Sequence, residues 1–231
     1  MTSNRFPTAI LAAILPWCAM AGAQTQDPDA GHGPLGFIRL LDAVNAGTGK
    51  LEVMIDGETV RPDGYQLGNF TGGIDLKPNT YQVMFRRDGV KEGAIQVPVL
   101  PNDTTILIPF AEQVPVREGE PARWRIRILK LKPSETEDKR TASFVSVSRQ
   151  AELKVEIRQG GKWEPIEVKR LGIARADIRQ ARGYLPVRCN GQPLAAISVA
   201  TTGNFVAVLF DDENGTLRSR NFQDYEYSGK K

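Results

Sequence analysis

Apolar and polar residues alternate with a period of two along several stretches of the chain, and turn signals end these stretches. Leu51, Val53 and Ile55 follow this spacing, and Asp56-Gly57 ends the run. Successive side chains of a strand point to opposite faces, so the spacing predicts strands with one buried face. The same alternation occurs at residues 81–86 and 124–128, and residues 94–100 and 104–110 form two further runs. No stretch keeps a helical period for three turns, which indicates an all-β protein.

The order of predicted strands repeats about a hundred residues later along the chain. The matched stretches are 37–58 with 144–161, Leu67-Gly68 with Leu171-Gly172, 77–89 with 180–191, 94–110 with 194–210, and 123–131 with 216–227. One-faced strands must bury that face against a second sheet, and each copy has the length of an immunoglobulin-like sandwich. We predict two tandem immunoglobulin-like β-sandwich domains, at residues 37–132 and 143–231, joined by a charged linker at residues 133–142.

Two tyrosines each enter a predicted strand just after a turn, Tyr81 in the first copy and Tyr184 in the second. This is the position of a corner tyrosine, whose ring lies in the core and whose hydroxyl bonds back to loop backbone. We therefore expect both side chains to be structural.

The first 23 residues have the pattern of an export signal. Arg5 precedes an apolar run at residues 9–15, and Ala21-Gly22-Ala23 forms a small-x-small cleavage site. The run is shorter than the ~20 residues that a membrane span requires, although an uncleaved anchor is the alternative. We expect a periplasmic or otherwise exported protein with no transmembrane span in the mature chain. Residues 24–36, which are polar and rich in Gly and Pro, predict a flexible leader.

Charge and cysteine content narrow the functional classes. The chain has 30 basic and 27 acidic side chains, a formal net charge of +3. So small an excess argues against a general nucleic-acid binder. After signal removal Cys189 is the remaining cysteine, so no intramolecular disulfide can form. Cys189 precedes an Asn-Gly turn and is expected to end a strand.

The chain lacks the residue sets that catalysis commonly uses. Its single histidine, His32, lies in the predicted leader, which excludes a histidine-based triad in practice. The acidic residues 211–215 have oxygen ligands suited to Ca²⁺, but their position between two apolar runs favours a hairpin loop. We predict a protein that is not an enzyme and that holds neither a metal nor another cofactor.

Two groups of arginines remain as a candidate binding surface. Arg123, Arg125 and Arg127 lie on one face of a predicted strand, and the connection near residues 169–182 carries Arg170, Arg175, Arg179 and Arg182. The planar guanidinium fork suits carboxylates, so the expected partner is an anionic polysaccharide, such as a uronate polymer, or an acidic protein. The alternative is a solvated strand face whose charges protect a sheet edge from aggregation.

Several stretches resemble a known family. Residues 37–60 with 75–85, and their repeats at 144–157 and 182–191, are similar to the alginate O-acetylation protein family AlgF. The strand-turn at residues 51–57 and the segment at 77–81 also resemble small exported β-sandwich domains of unknown function. The resemblance implies a periplasmic, non-enzymatic adaptor in exopolysaccharide O-acetylation, whose partners are envelope acetyl-transfer proteins. The linker at residues 133–142 and the two groups of arginines are not part of the resemblance to this family. A stand-alone exported binding module is the alternative.

Overall fold

The computed structural model describes residues 33–133, 140–199 and 203–224, and these residues form sixteen β-strands and no helix. The first eight strands are β1 (Gly36–Leu40), β2 (Thr48–Ile55), β3 (Glu58–Thr59), β4 (Ile74–Leu76), β5 (Asn79–Asp88), β6 (Val90–Val99), β7 (Thr104–Val114) and β8 (Arg123–Leu131). The second eight are β9 (Thr141–Ser146), β10 (Glu152–Gln159), β11 (Lys162–Lys169), β12 (Ile173–Asp177), β13 (Gly183–Cys189), β14 (Gln192–Val199), β15 (Asn204–Asp211) and β16 (Leu217–Asp224). The all-β prediction is confirmed. Within the described ranges no helix has the length and apolarity of a membrane span.

The two sets of strands have the same connectivity. The first set forms the groups β3-β2-β5-β6 and β8-β7-β1-β4, and the second forms β11-β10-β13-β14 and β16-β15-β9-β12. Adding eight to each strand number of the first set reproduces the second. In both sets the first strand pairs in parallel with the seventh, β1 with β7 and β9 with β15. The chain is therefore two tandem immunoglobulin-like β-sandwiches, as predicted, which we call the first and second copies.

One contact distinguishes the first copy. A parallel pair between Lys91 and Arg125 joins β6 to β8, so the two groups form one eight-stranded sheet. Gly93 permits this approach, because a Cβ there would lie 2.6 Å from the Ile126 carbonyl oxygen.

The first residues of β1 and β9 can be compared with the limits of the predicted leader and linker. β1 begins at Gly36, the last residue of the predicted leader, and β9 begins at Thr141, inside the predicted linker. The signal peptide, the leader up to His32 and most of the linker lie outside the described residues. The predicted domain boundaries therefore stay predictions.

Each copy has its own core between its two groups of strands. In the first copy β2 buries Leu51, Val53 and Ile55, the alternating positions that the sequence indicates. The second copy buries Leu153, Val155 and Ile157 on β10 in the same way. Type I′ turns join β2 to β3 and β13 to β14, because Asp56-Gly57 and Asn190-Gly191 have positive φ at both residues.

A third core joins the two copies. β15 is buried along its whole length, and β7 is buried along its first eight residues. Their alternate side chains therefore face two different cores. The residues that β7 and β15 direct into the third core are Ile106, Ile108 and Phe110 from the first copy and Val206, Val208 and Phe210 from the second. Leu67 and Leu171, the matched pair in the two repeats, pack at its edge. The molecule thus has four sheet layers, and we call the contact between the inner two the junction.

The register corrects one prediction about the tyrosines. Tyr81 is a corner tyrosine as predicted, because its ring packs on the first core and its hydroxyl donates to the Lys77 carbonyl oxygen at 2.9 Å. The prediction for Tyr184 is wrong, since its ring is 73% exposed. Val53 pairs with Phe85 and Val155 pairs with Cys189, so the position equivalent to Tyr81 is Leu185. A shift of one residue turned Tyr184 to the outer face.

The opening strands also align differently from the sequence motif. The matched stretches begin with Phe37 and Phe144, but Phe37 pairs with Thr104 whereas Phe144 pairs with Ala207. Leu40 pairs with Leu107, the residue of β7 that corresponds to Ala207. Phe144 therefore occupies the place of Leu40 in the core, three residues further along than the motif suggests.

Two buried arginines of the first copy reach across the junction. The Arg39 guanidinium lies 4.5 Å from the Phe70 ring centroid and 5.1 Å from that of Phe222, and its Nη1 donates to the Gln223 carbonyl oxygen at 3.1 Å. Phe70 and Phe222, one from each copy, are stacked with centroids 4.0 Å apart. The junction is therefore fixed by cation–π and ring-stacking geometry as well as by apolar burial.

The second buried arginine lies beside a buried acid. Arg87 donates through Nη1 to the Val44 carbonyl oxygen, and its Nη2 lies 3.3 Å from Glu213 Oε1 of the second copy. Asp42 is 2% exposed and its Oδ2 lies 3.9 Å from Arg87 Nη1. Burial raises the pKa of Asp42 to about 7, although a hydrogen bond from the Val44 N–H and the Arg87 charge oppose this rise.

Truncation of a junction residue should destabilise both copies. Ile108 is fully buried in the junction, so Ile108→Ala leaves a cavity there and should cost roughly 2–4 kcal/mol. Urea unfolding followed separately through Trp124 in the first copy and Trp163 in the second measures the loss. Ile55→Ala, which creates a similar cavity inside the first copy, is the control. An unchanged transition at Trp163 in Ile108→Ala would contradict a junction shared by both copies.

The buried Asp42 should make the protein less stable as pH rises. Its folded pKa of about 7 lies above the ordinary 3.8, so between these values the folded chain holds a proton that the unfolded chain has released. The free energy of unfolding should fall across this range, by at most about 1.4 kcal/mol per pH unit. Asp42→Asn should remove the dependence, which urea unfolding at about pH 5 and about pH 8 measures. Equal pH slopes for variant and wild type would rule this out.

Candidate anion-binding groove

A groove of about 580 Å³ opens where the junction meets solvent. Four arginines and one glutamate contribute to its walls, and they come from both copies: Glu112, Arg125 and Arg127 from the first, Arg149 and Arg170 from the second. Gln113, Pro115, Ala111 and Ala151 complete the lining. The groove therefore exists only where the two copies meet.

The first copy supplies its residues through the hairpin of β7 and β8. The junction face of β7 carries Ile106, Ile108 and Phe110, and the next residue on that face is Glu112. On β8 the same face carries Leu131 and Leu129 and then turns basic at Arg127 and Arg125. Because side chains alternate between the two faces of each strand, the face that is apolar in the junction becomes charged at its rim.

Glu112 is bound by three arginines. Arg125 is its partner across the hairpin and donates from Nε and Nη2 to Oε2 at 3.2 and 2.7 Å. Arg127 Nη1 donates to the same oxygen at 3.0 Å, and Arg170 Nη2 lies 3.5 Å from Oε1. These arginines, led by Arg125, hold the pKa of Glu112 below its usual range, so the carboxylate is ionised at neutral pH.

The two arginines of the second copy have contacts with groups other than Glu112, and these groups belong to both copies. Arg170 donates from Nε to the Ser148 carbonyl oxygen at 3.1 Å, and its guanidinium lies 6.0 Å from the Phe110 ring centroid. Arg149 lies 3.3 Å from the buried Asp211 through Nε, and its guanidinium lies 5.8 Å from the Trp124 ring centroid. Both side chains are therefore positioned independently of Glu112.

The groove has an excess of positive charge. Four guanidinium groups line the groove together with a single carboxylate, that of Glu112, and Asp211 pairs with Arg149. Arg125, Arg127 and Arg149 are each nearly half exposed. Since each guanidinium has five N–H donors in a fixed fork, the donors outnumber the acceptors that the walls provide. The arrangement can bind carboxylate, phosphate or sulfate groups from solution.

The structure separates the seven arginines that the sequence singles out. Arg125, Arg127 and Arg170 meet in the groove. Arg123 is further along β8 and lies 3.4 Å from Glu120, and Arg175 is exposed on β12. Arg179 bonds to Asp177 and lines a different cavity, and Arg182 is exposed ahead of β13. A role in binding stays a prediction for all seven arginines.

Two groove residues escaped the sequence analysis. Glu112 could have been found by folding residues 104–131 into a hairpin, which places it opposite Arg125. Arg149 lies in a short loop after β9, and its sequence context carries no signal. Arg149 is distant from Arg125 and Arg127 in the sequence, and it shares a groove with them only because the two copies meet at the junction.

The other candidate chemistry has structural explanations. Cys189 is the last residue of β13 as predicted, and burial raises the pKa of its thiol. The hairpin loop predicted at residues 211–215 lies at residues 212–216, because Asp211 is the last residue of β15. In this loop Asp212 Oδ1 accepts from the backbone N–H groups of Asn214 and Thr216. No group of three or more His, Cys, Asp and Glu in the described part of the chain is placed to hold a metal. His32 lies outside that part.

Comparison with known proteins gives little guidance. No protein-family model matches the chain, and no curated protein matches it. Among solved structures the chain is similar to the carbohydrate-binding module CBMbc, of family CBM26, from Eubacterium rectale Amy13K, solved in complex with maltoheptaose. That likeness has 10% sequence identity and a TM-score of 0.25, and it covers 83% of this chain and 98% of the module. At this TM-score the likeness does not identify a ligand for the groove.

Proposed function

We propose that this protein is an exported, non-enzymatic binding module whose groove holds the carboxylates of an anionic polysaccharide. The observation that carries the proposal is that Arg125 and Arg127 share one groove with Arg149 and Arg170, whereas Glu112 is the one carboxylate in its lining. A buried structural network would match its charges closely. This cluster instead leaves guanidinium donors facing solvent.

The dimensions and charge of the groove favour a uronate polymer. Its volume of about 580 Å³ is that of an ordinary ligand site, and it is open to solvent along the rim of the junction. A chain with a carboxylate on each sugar ring can place successive carboxylates on guanidinium groups of both copies. The small net charge of +3 for the whole chain keeps the attraction local to the groove instead of favouring nucleic acid.

An adaptor role in exopolysaccharide O-acetylation is the second candidate function. The resemblance to the AlgF family implies this role, and the exposed Tyr184 ring favours it. Tyr184 lies on the outer face of β13, since the neighbouring Leu185 points into the core. Arg188, on the same face of β13, is held by Glu156 and stacks 4.0 Å from the Trp163 ring centroid. Exposed aromatic and arginine side chains are enriched where proteins contact each other, so this face suits an envelope acetyl-transfer protein.

Reversing two groove charges should weaken polyuronate binding. The double variant Arg125→Glu with Arg127→Glu should lose roughly tenfold or more in affinity for polygalacturonate, because both guanidinium groups would be replaced by repelling carboxylates. Titration calorimetry at about 50 mM and about 300 mM salt should show wild-type binding that weakens with salt.

The matched control is Arg123→Glu with Arg220→Glu, since Arg123 on β8 and Arg220 on β16 are exposed and neither lines the groove. It changes the net charge by the same amount. The control should bind as the wild type does. Equal losses in the two double variants, or wild-type binding that does not depend on salt, would refute the groove as the site.

The adaptor role predicts a defined protein complex. Crosslinking in the native envelope should capture acetyl-transfer proteins, and Tyr184→Ala should lose the crosslinks while the fold is kept, because the ring is exposed. Deletion of the gene should lower the acetyl content of the polymer. A normal acetyl content of the polymer in the deletion strain would refute the adaptor role.

A further inference from the structure

We propose that Glu112 is a built-in competitor that occupies the groove as a ligand carboxylate would, and that it thereby selects polyvalent anions over single ones. The inference rests on the proposed function, since it concerns the same groove. It assigns Glu112 a role in specificity that neither the fold nor the ion pairs require.

The contacts of Glu112 are those of a bound ligand. Its Oε2 accepts three hydrogen bonds from Arg125 and Arg127, and its Oε1 faces Arg170 of the other copy. Within the described residues, this carboxylate accepts its hydrogen bonds from arginine side chains of the groove. A carboxylate that enters from solution must therefore replace Glu112 or bind beside it.

The second copy provides an internal comparison. Asp212 occupies the position on the continuation of β15 that Glu112 occupies on β7, and Arg218 donates to it at 2.9 Å. Asp212 also accepts from two backbone N–H groups of its own loop, so it organises the hairpin. Glu112 lies within β7, where the backbone ladder already defines the strand. The acid at this place in the first copy is thus free of the structural task that its counterpart performs.

Displacement of Glu112 should leave the groove intact. Arg170 keeps its bond to the Ser148 carbonyl oxygen, and Arg149 keeps its contact with Asp211. Arg125 and Arg127 are anchored on β8, which pairs with β7 along nine residues. The Glu112 side chain is 17% exposed, so it can move toward solvent when a ligand takes its place.

Tethering explains the selection. Glu112 is attached beside its arginines, so its effective concentration there is in the millimolar range or above, which a single dissolved carboxylate does not match. A polymer can first engage Arg149 and the unoccupied donors of Arg170, and its next carboxylate then competes with Glu112 as an attached group. Binding should therefore rise steeply with the number of linked carboxylates.

The test compares Glu112→Gln with Glu120→Gln. Both variants remove one negative charge beside β8, but Glu120 pairs with Arg123 outside the groove. Titrations use galacturonate, its short oligomers and polygalacturonate, with neutral dextran as the non-ionic control. Glu112→Gln should bind galacturonate and the dimer roughly tenfold more tightly than wild type does, with a smaller gain for the polymer. Glu120→Gln should match the wild type.

Different results separate the two claims. If wild type binds polygalacturonate through Arg125 and Arg127 but Glu112→Gln gains nothing for the short ligands, the competitor role is overturned and the proposed function survives. If neither wild type nor Glu112→Gln binds any uronate at low salt, both are overturned. Wild type alone supplies a check that needs no variant: affinity per carboxylate that is equal for the monomer and the oligomers would also overturn the inference.

Discussion

Burial of both faces of β7 and β15 is the constraint on which the rest of this structure depends. A sandwich usually exposes the outer face of each sheet, but here the inner sheets of the two copies cover each other with Ile106, Ile108 and Phe110 on one side and Val206, Val208 and Phe210 on the other. Exposing two such faces to water would be costly, so the copies have to stay together. This explains why the described residues belong to one compact unit although the chain is a duplication.

The groove follows from the same junction. The apolar face of β7 ends at Phe110 and becomes acidic at Glu112, while the matching face of β8 becomes basic at Arg127. The second copy then adds Arg149 and Arg170 from loops that reach the rim. Charged groups line the rim because the apolar part of the junction ends there, and the arginines outnumber the acids because each copy contributes two of them. A binding function that depends on this groove therefore also depends on the copies staying joined.

The two copies share a topology, but corresponding residues differ in their contacts and in their exposure. Glu112 and Asp212 occupy corresponding places, but Asp212 is fixed by loop backbone and Glu112 by arginines that can also hold a ligand. Tyr81 and Tyr184 differ in the same way, since a shift of one residue leaves the first as a corner tyrosine and turns the second outward. Equal topology thus coexists with different surfaces.

The sequence alone determined the strands, the turns and the duplication, because alternation of side chains and the Asp-Gly and Asn-Gly turns are local properties that each segment encodes by itself. It also indicated that Arg125, Arg127 and Arg170 are candidate binding residues. Only the tertiary structure decided that β7 and β15 are buried on both faces, that Tyr184 is exposed, and that Arg149 lines the same groove as Glu112. These facts depend on which sheet faces which and on register across strands, and contacts between residues far apart in the chain leave no mark in the local pattern.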